Sequence, residues 1–291
     1  MGTASAKPGL ATPSSRMMTE SFRSPGRVVR RLKRGLPAIR KIRNWPSFLL
    51  NYALGLKPGQ PYRFRNGASL ELVRGIDHAP IVEVFLNEEY GHVPDDAVIV
   101  DIGANIGTFT VYALTTARGV RVYAYEPDGD FYEALLQNLD RNAGHGTARA
   151  FNLAVAGDDK GRDLYLDSAT FFFPTLVQPA NAPAGKSVHV GSITLEQIMK
   201  SNGLDRIDLL KMDCEGAEYE ILYSCSSIHL GRISEIRMEY HDLDADQQRV
   251  EVLARRLEGN GFVVTRLRQT SETNGNLWAQ RRDLSPLPRL I

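Results

Sequence analysis

Apolar and polar positions along this chain switch between two periods, and the switches mark its elements. Val98-Ile99-Val100-Asp101-Ile102 is apolar and β-branched apart from Asp101, the pattern of a buried strand. Gly103 and Gly107 follow, and Phe109, Val111, Tyr112 and Leu114 then return with helical spacing. The stretch predicts a strand, a tight turn and a helix. Val120 to Tyr125 reads as a second strand and Ala148 to Val155 as a third, with a helix between them on Phe131, Leu135, Leu136 and Leu139. Thr194-Leu195-Glu196-Gln197 fits a capping box, with Leu195, Ile198 and Met199 on the apolar side of its helix. Ile207 to Asp213 and Ile233 to Tyr240 read as strands, and Val250, Leu253 and Leu257 mark a helix from Asp246 to Glu258. Phe262 to Thr265 and Leu277 to Gln280 close the series. Alternation of this kind predicts a doubly wound α/β sheet covered on both faces.

Ahead of that domain the pattern is less regular. Tyr62 to Leu72 alternates around Asn66-Gly67, as a hairpin does, and Val82, Phe85 and Leu86 share one helical face. Residues 168–190 break the rhythm with Phe171-Phe172-Phe173-Pro174 and further Pro and Gly, and are expected to form a loop covering a substrate. The expected organisation is a basic flexible arm over 1–45, a helical and hairpin lead-in over 46–95, the main domain over 96–284 and a tail over 285–291.

Charge changes the picture at the N-terminus. The net charge is only +1, but residues 1–45 hold eleven Lys and Arg against the single acid Glu20, so the arm carries +10. The remainder, with 24 basic and 33 acidic residues, carries −9 and offers no nucleic-acid groove. From Arg27 to Arg43 the basic residues interleave with Val28, Val29, Leu32, Leu36, Ile39 and Ile42, interrupted by Pro37. That pattern suits peripheral contact with a membrane surface or a partner, a solvated helix, or an Arg-rich targeting segment. Two cysteines, Cys214 and Cys225, no secretory signal and no apolar run of membrane-spanning length make a cytoplasmic location the expectation.

The turn itself carries chemistry. Gly103 and Gly107 let the backbone bend sharply and approach a ligand, and Asp101, Ala104 and Asn105 share that turn. The spacing is G-x-x-x-G, not the G-x-G-x-x-G of dinucleotide pyrophosphate binding. A ligand with adenosine but no phosphates fits better, and S-adenosyl-L-methionine is the candidate. Glu126 lies 23 residues beyond Gly103 at the end of the second strand, where a carboxylate holds a ribose diol. Asn152, or the backbone near Ala154, sits where it would meet the adenine, although Asn152 also suits a plain turn.

Taken together, Val100-Asp101-Ile102-Gly103-Ala104-Asn105-Ile106-Gly107, Ala124-Tyr125-Glu126-Pro127, Asn152-Leu153-Ala154-Val155, Asp208 to Glu218 and Glu239-Tyr240-His241 resemble the FkbM-type family of S-adenosylmethionine-dependent methyltransferases. The lead-in from Glu83 to Tyr90 matches as well, and the block from Lys211 to Glu218 is its most specific part. The resemblance implies a seven-stranded, mostly parallel sheet of the class I methyltransferase (Rossmann-like) type with an N-terminal extension. It also implies O-methylation of a hydroxyl on a sugar, glycolipid or secondary metabolite. Cys214 stands where the family often has a branched apolar residue, and is read as a small hydrophobe.

Methyl transfer to an alcohol needs alignment and a way to remove the hydroxyl proton. Asp213 and His241 fall at strand ends on one edge of the sheet, with His241 a candidate base and Lys211 either facing the developing alkoxide or pairing with a carboxylate. Asp213, Glu215, Glu239 and His241 also form an oxygen-rich set suited to Mg²⁺ or Mn²⁺. Glu218 reads as helix surface or as a hydrogen-bond partner of a loop, and His78, His92, His145, His189 and His229 as structural. The rival readings are a nicotinamide-dependent oxidoreductase, which lacks its third glycine here, and a non-catalytic membrane- or partner-binding protein of the same fold.

Overall fold

The computed structural model describes residues 25–74, 77–142, 144, 146–166, 174–178, 187–243 and 245–283. The segments 1–24 and 285–291, and the Phe171–Phe173 stretch expected to cover a substrate, lie outside the described residues.

The chain opens with helices α1 (Pro25–Gly35), α2 (Ala38–Lys41) and α3 (Trp45–Leu54), then the antiparallel pair β1 (Tyr62–Arg63) and β2 (Ser69–Leu70). Helix α4 (His78–Ile81) runs into a π-type turn at Val82–Leu86. The main sheet begins with β3 (Val98–Ile102), α5 (Thr108–Thr116), β4 (Arg121–Tyr125), α6 (Gly129–Arg141) and β5 (Thr147–Phe151). Four short strands come next: β6 (Ala154–Val155), β7 (Arg162–Tyr165), β8 (Ser187–Val190) and β9 (Ser192–Ile193). The second half holds α7 (Leu195–Ser201), β10 (Ile207–Met212), α8 (Glu218–Ser224), α9 (Ser227–Leu230), β11 (Ile233–His241), α10 (Val250–Gly259), β12 (Phe262–Gln269) and β13 (Asn274–Arg281).

Seven strands make one sheet in the order β12-β13-β11-β10-β3-β4-β5. Neighbours pair in parallel except at β13, which is antiparallel to both β11 and β12. This is the seven-stranded, mostly parallel sheet that the family resemblance implies. The chain winds outward from β3 to β5, then returns to lay β10 on the other side of β3. A crevice therefore opens beyond the carboxyl ends of β3 and β10, where such sheets bind ligands.

Both faces of the sheet are covered, which explains why β3 is buried along its whole length. Ile99 joins a core with Phe48, Tyr62, Phe64, Phe85, Phe109 and Val122, while Val98, Val100 and Ile102 join a second with Tyr125, Ile198, Met212, Ile221 and Leu253. The first core is largely supplied from residues 38–97. The boundary expected at residue 95 therefore does not separate two cores.

The basic arm also departs from expectation. From Pro25 it is helical, Ala38 and Ile42 are fully buried, and Lys41 donates to the carbonyls of Phe85 and Leu86 at 2.8 and 3.2 Å. Apolar residues between the charges reach the core, which the charge count alone conceals. The third strand is shorter than expected, because the chain leaves the sheet after Phe151. The Asn152 amide turns it by donating to the carbonyls of Glu126 and Pro127 at 2.9 and 3.0 Å. Ala154–Val155 then pairs in parallel with Ser192–Ile193. The Thr194–Gln197 capping box is present with both of its hydrogen bonds. Among the described residues no helix is long and apolar enough to cross a membrane, and both cysteines are free.

Candidate functional site

The crevice holds a cavity of about 1210 Å³. One end is the glycine turn. Gly103 (φ +71°) and Asn105 (φ +52°) are left-handed, and the N–H groups of Gly103 and Ala104 donate to the carbonyl of Tyr125 at 3.1 and 3.0 Å. A Cβ on Gly103 would lie 1.8 Å from the carbonyl oxygen of Asp213, so only glycine lets the β3 and β10 ends approach this closely. At Gly107 (φ +86°) a Cβ would meet Leu135 at 2.6 Å, where α5 starts against α6.

Glu126 closes this end. Its carboxylate accepts from the N–H of Asn105 at 2.7 Å and of Asp128 at 2.9 Å, and burial pushes its pKa up to about 7 against those two bonds. Two carboxylate oxygens offer about four acceptor positions, so room remains for ligand hydroxyls. Ala104, Asn105, Glu126, Phe131, Ala154 and Val155 line the cavity here. Ala154 contributes a wall, since its N–H already donates to Gly191 at 2.9 Å. Asn152, for which the sequence leaves both an adenine contact and a plain turn open, spends its side-chain amide on the turn carbonyls described above.

Asp101 stands behind the turn. It is fully buried, accepts from the Thr110 hydroxyl at 2.7 Å and pairs with Lys211 at 3.1 Å. Lys211 also donates to the carbonyl of Gly103 at 2.8 Å and faces the Tyr90 ring at 5.7 Å. Burial works against its charge, but Asp101 and Asp213 outweigh burial and raise its pKa. Of the two roles open to Lys211 in the sequence, the geometry is that of carboxylate pairing, with the ammonium bracing the turn from below.

The other end is acidic. Asp213, Glu215, Glu239 and His241 line it, and Asp213, Glu239 and His241 each offer a ligand atom within 4.8 Å of the others. His241 lies between Glu218, 3.1 Å from Nδ1, and Glu215, 3.5 Å from Nε2. Burial alone would lower its pKa, but these carboxylates lift it to about 10. His241, a candidate base in the sequence, is thus paired with two acids that favour its protonated form. Glu218, fully buried, also accepts from the N–H of Cys214 and of Gly216, both at 3.0 Å. It ties down the loop after β10 and is not on a helix surface. Burial and neighbouring acids raise Glu215 and Glu239, and burial holds the Cys214 thiol protonated.

Two residues of this end carried no role in the sequence reading. The Tyr90 hydroxyl donates to Asp213 at 3.4 Å, and Glu83 on the π-type turn lines the cavity with its pKa pushed up to about 8, chiefly by burial. Both lie in the Glu83–Tyr90 segment matched by the family resemblance, the one signal that pointed to them.

The methyltransferase FkbM domain matches residues 101–270, more than half of the chain. The chain belongs to the FkbM methyltransferase family. Among similar proteins, the AMB antimetabolite synthetase AmbE of Pseudomonas aeruginosa is 28% identical over 66% of this chain and 11% of its own length. The 31-O-demethyl-FK506 methyltransferase FkbM of Streptomyces tacrolimicus is 29% identical over 57% of this chain and 73% of its own. The hexuronic acid methyltransferase AglP of Haloferax volcanii is 29% identical over 44% and 49%. The FkbM match begins at Asp101 and ends within the β12–β13 turn, so it includes the glycine turn, Glu126, the Lys211–Glu218 block and His241. The segment carrying Glu83 and Tyr90 precedes it.

Proposed function

We propose that this FkbM-family protein transfers a methyl group from S-adenosylmethionine to a hydroxyl of a sugar or related small molecule. The observation that carries the reading is one continuous cavity with a glycine turn and Glu126 at one end and Asp213 and Glu239 at the other. The names of the FkbM and AglP relatives support a hydroxylated acceptor of this kind.

The residues fit S-adenosylmethionine. Gly103 and Asn105 shape a turn with no side-chain bulk at its apex, and Glu126 keeps free lone pairs for ribose hydroxyls. Phe131, Ala154 and Val155 supply apolar wall for a base. When bound, the sulfonium supplies an electrophilic methyl carbon. The protein's part is to align the acceptor oxygen behind it and to take the hydroxyl proton. Asp213 is the residue placed to take that proton, with its carboxylate oriented by the Tyr90 hydroxyl. The oxygen gains the methyl as it loses the proton, leaving a methyl ether. Lys211 acts on the turn and Glu218 on the loop, so neither needs to touch the acceptor.

Asp213, Glu239 and His241 also fit a hard divalent cation such as Mg²⁺ or Mn²⁺. The set is two carboxylates and an imidazole whose Nδ1 is backed by Glu218, as ligating histidines commonly are. Such an ion would displace the imidazolium proton and acidify a bound hydroxyl.

Calorimetry with S-adenosylmethionine and with NAD, followed by a screen of hydroxylated acceptors with and without chelator, tests this reading. Binding of S-adenosylmethionine is expected. Binding of NAD alone, or of neither, would sink it, and chelator-resistant turnover would remove the metal.

A further inference from the structure

The cavity does not end at the acids. Arg27, Arg30, Arg31 and Arg34 of helix α1 also line it, beside Tyr52, Pro80 and Glu83. Their spacing of three, one and three residues puts them on one helical face. The apolar Val29 and Leu32 take another face and are exposed. Helix α1 is held in place by its close approach to α3, where a Cβ on Gly35 would lie 2.7 Å from Leu49.

Among the described residues no carboxylate lies within ion-pair distance of Arg27, Arg30 or Arg34. Arg31, half-buried beside them, donates to the carbonyl of Tyr52 at 3.4 Å. Glu83 connects the two zones, since it responds to Arg34 on one side and to Asp213 and Lys211 on the other. One cavity is thus lined both by the α1 arginines and by Glu83, Asp213, Glu215 and Glu239. Such an arrangement suits a molecule whose reacting hydroxyl lies among the acids while an anionic group sits among guanidiniums, which pair well with planar carboxylates and with phosphates.

We propose that the arginine face of α1 is an acceptor-recognition site and that the methyl acceptor carries an oxyanion, a carboxylate or a phosphate, on the same molecule as its hydroxyl. The inference rests on the methyltransferase reading and deepens it.

The test measures binding to the full chain, at low and high salt, of glucuronate, glucose 1-phosphate and neutral glucose in the presence of S-adenosylhomocysteine. At least one of the two anions is expected to bind, with affinity that falls as salt rises, while glucose binds more weakly. Glucuronate against glucose 1-phosphate distinguishes the two sources of the oxyanion. Arg27→Gln/Arg30→Gln should weaken the anion at least tenfold, and Lys33→Gln, outside the cavity, should not. S-adenosylmethionine affinity, measured in parallel, should be the same in all variants. Binding of neither anion, equal binding of glucose, or indifference to the double substitution overturns the proposal while cofactor binding still stands. Loss of cofactor binding by the unsubstituted protein would instead defeat the methyltransferase reading itself.

Discussion

The two ends of the cavity are built on opposite principles. At the glycine turn nearly every polar group is already paired. The Gly103 and Ala104 amides bond to Tyr125, the Asn105 amide bonds to Glu126, and Lys211 bonds to Asp101 and Gly103. At the acidic end, Glu83, Asp213, Glu215 and Glu239 crowd together near Lys211 and His241, with Arg34 also acting on Glu83, and three of these acids have raised pKa values. The first end has its polar groups already satisfied. The second gathers acids that burial biases toward their protonated form, and groups of that kind are available to move protons or to bind a cation.

Substitutions can break that contrast or sharpen it. The largest effect is expected from Gly103→Ala, which forces a Cβ against the Asp213 carbonyl and a left-handed φ on alanine. Calorimetry should find S-adenosylmethionine binding abolished, and retained binding would mean that the turn is not the cofactor end. Asp213→Asn should lower kcat by about 10²–10⁴-fold, the usual worth of general base catalysis, with cofactor affinity unchanged. An unchanged kcat would move the base elsewhere in the cluster.

Lys211→Met should cost about 3–5 kcal/mol of stability, because it leaves Asp101 buried without its cation. Thermal unfolding reads that directly. A fall in kcat with no loss of stability would instead assign Lys211 to the acceptor end. The smallest effect concerns Glu126, whose pKa is lifted to about 7 by burial. Ribose hydroxyls donate to the ionised form, so cofactor affinity should rise as pH climbs through about 7 and level off above it. Calorimetry across pH 6 to 8 checks this slope, which should disappear in Glu126→Gln.

The relation between the ends also bears on how the arm is viewed. Charge counting made residues 1–45 a separate basic segment, yet Ala38 and Ile42 are core residues and the α1 arginines line the cavity. Its membrane or partner contact remains a reading of the sequence, whereas Arg27, Arg30, Arg31 and Arg34 line the cavity in the structure.

What the sequence determined by itself is whatever depends on near neighbours. The period-two and helical patterns, the Thr194–Gln197 capping box, the Gly103–Gly107 turn and the spacing to Glu126 are local, since each follows from backbone geometry over a few residues or one strand–helix–strand unit. The tertiary structure decided what depends on distant segments meeting. Asp101, with no reach to the cavity, became the partner of Lys211, and His241 became an ion-pair partner because Glu215 and Glu218 arrive from the turn after β10 and the start of α8. Tyr90 and the arginines of α1 entered the site from the lead-in and the arm. Protonation and pairing are set by burial and by charges a few ångströms away, and neither quantity is written in the order of residues along the chain.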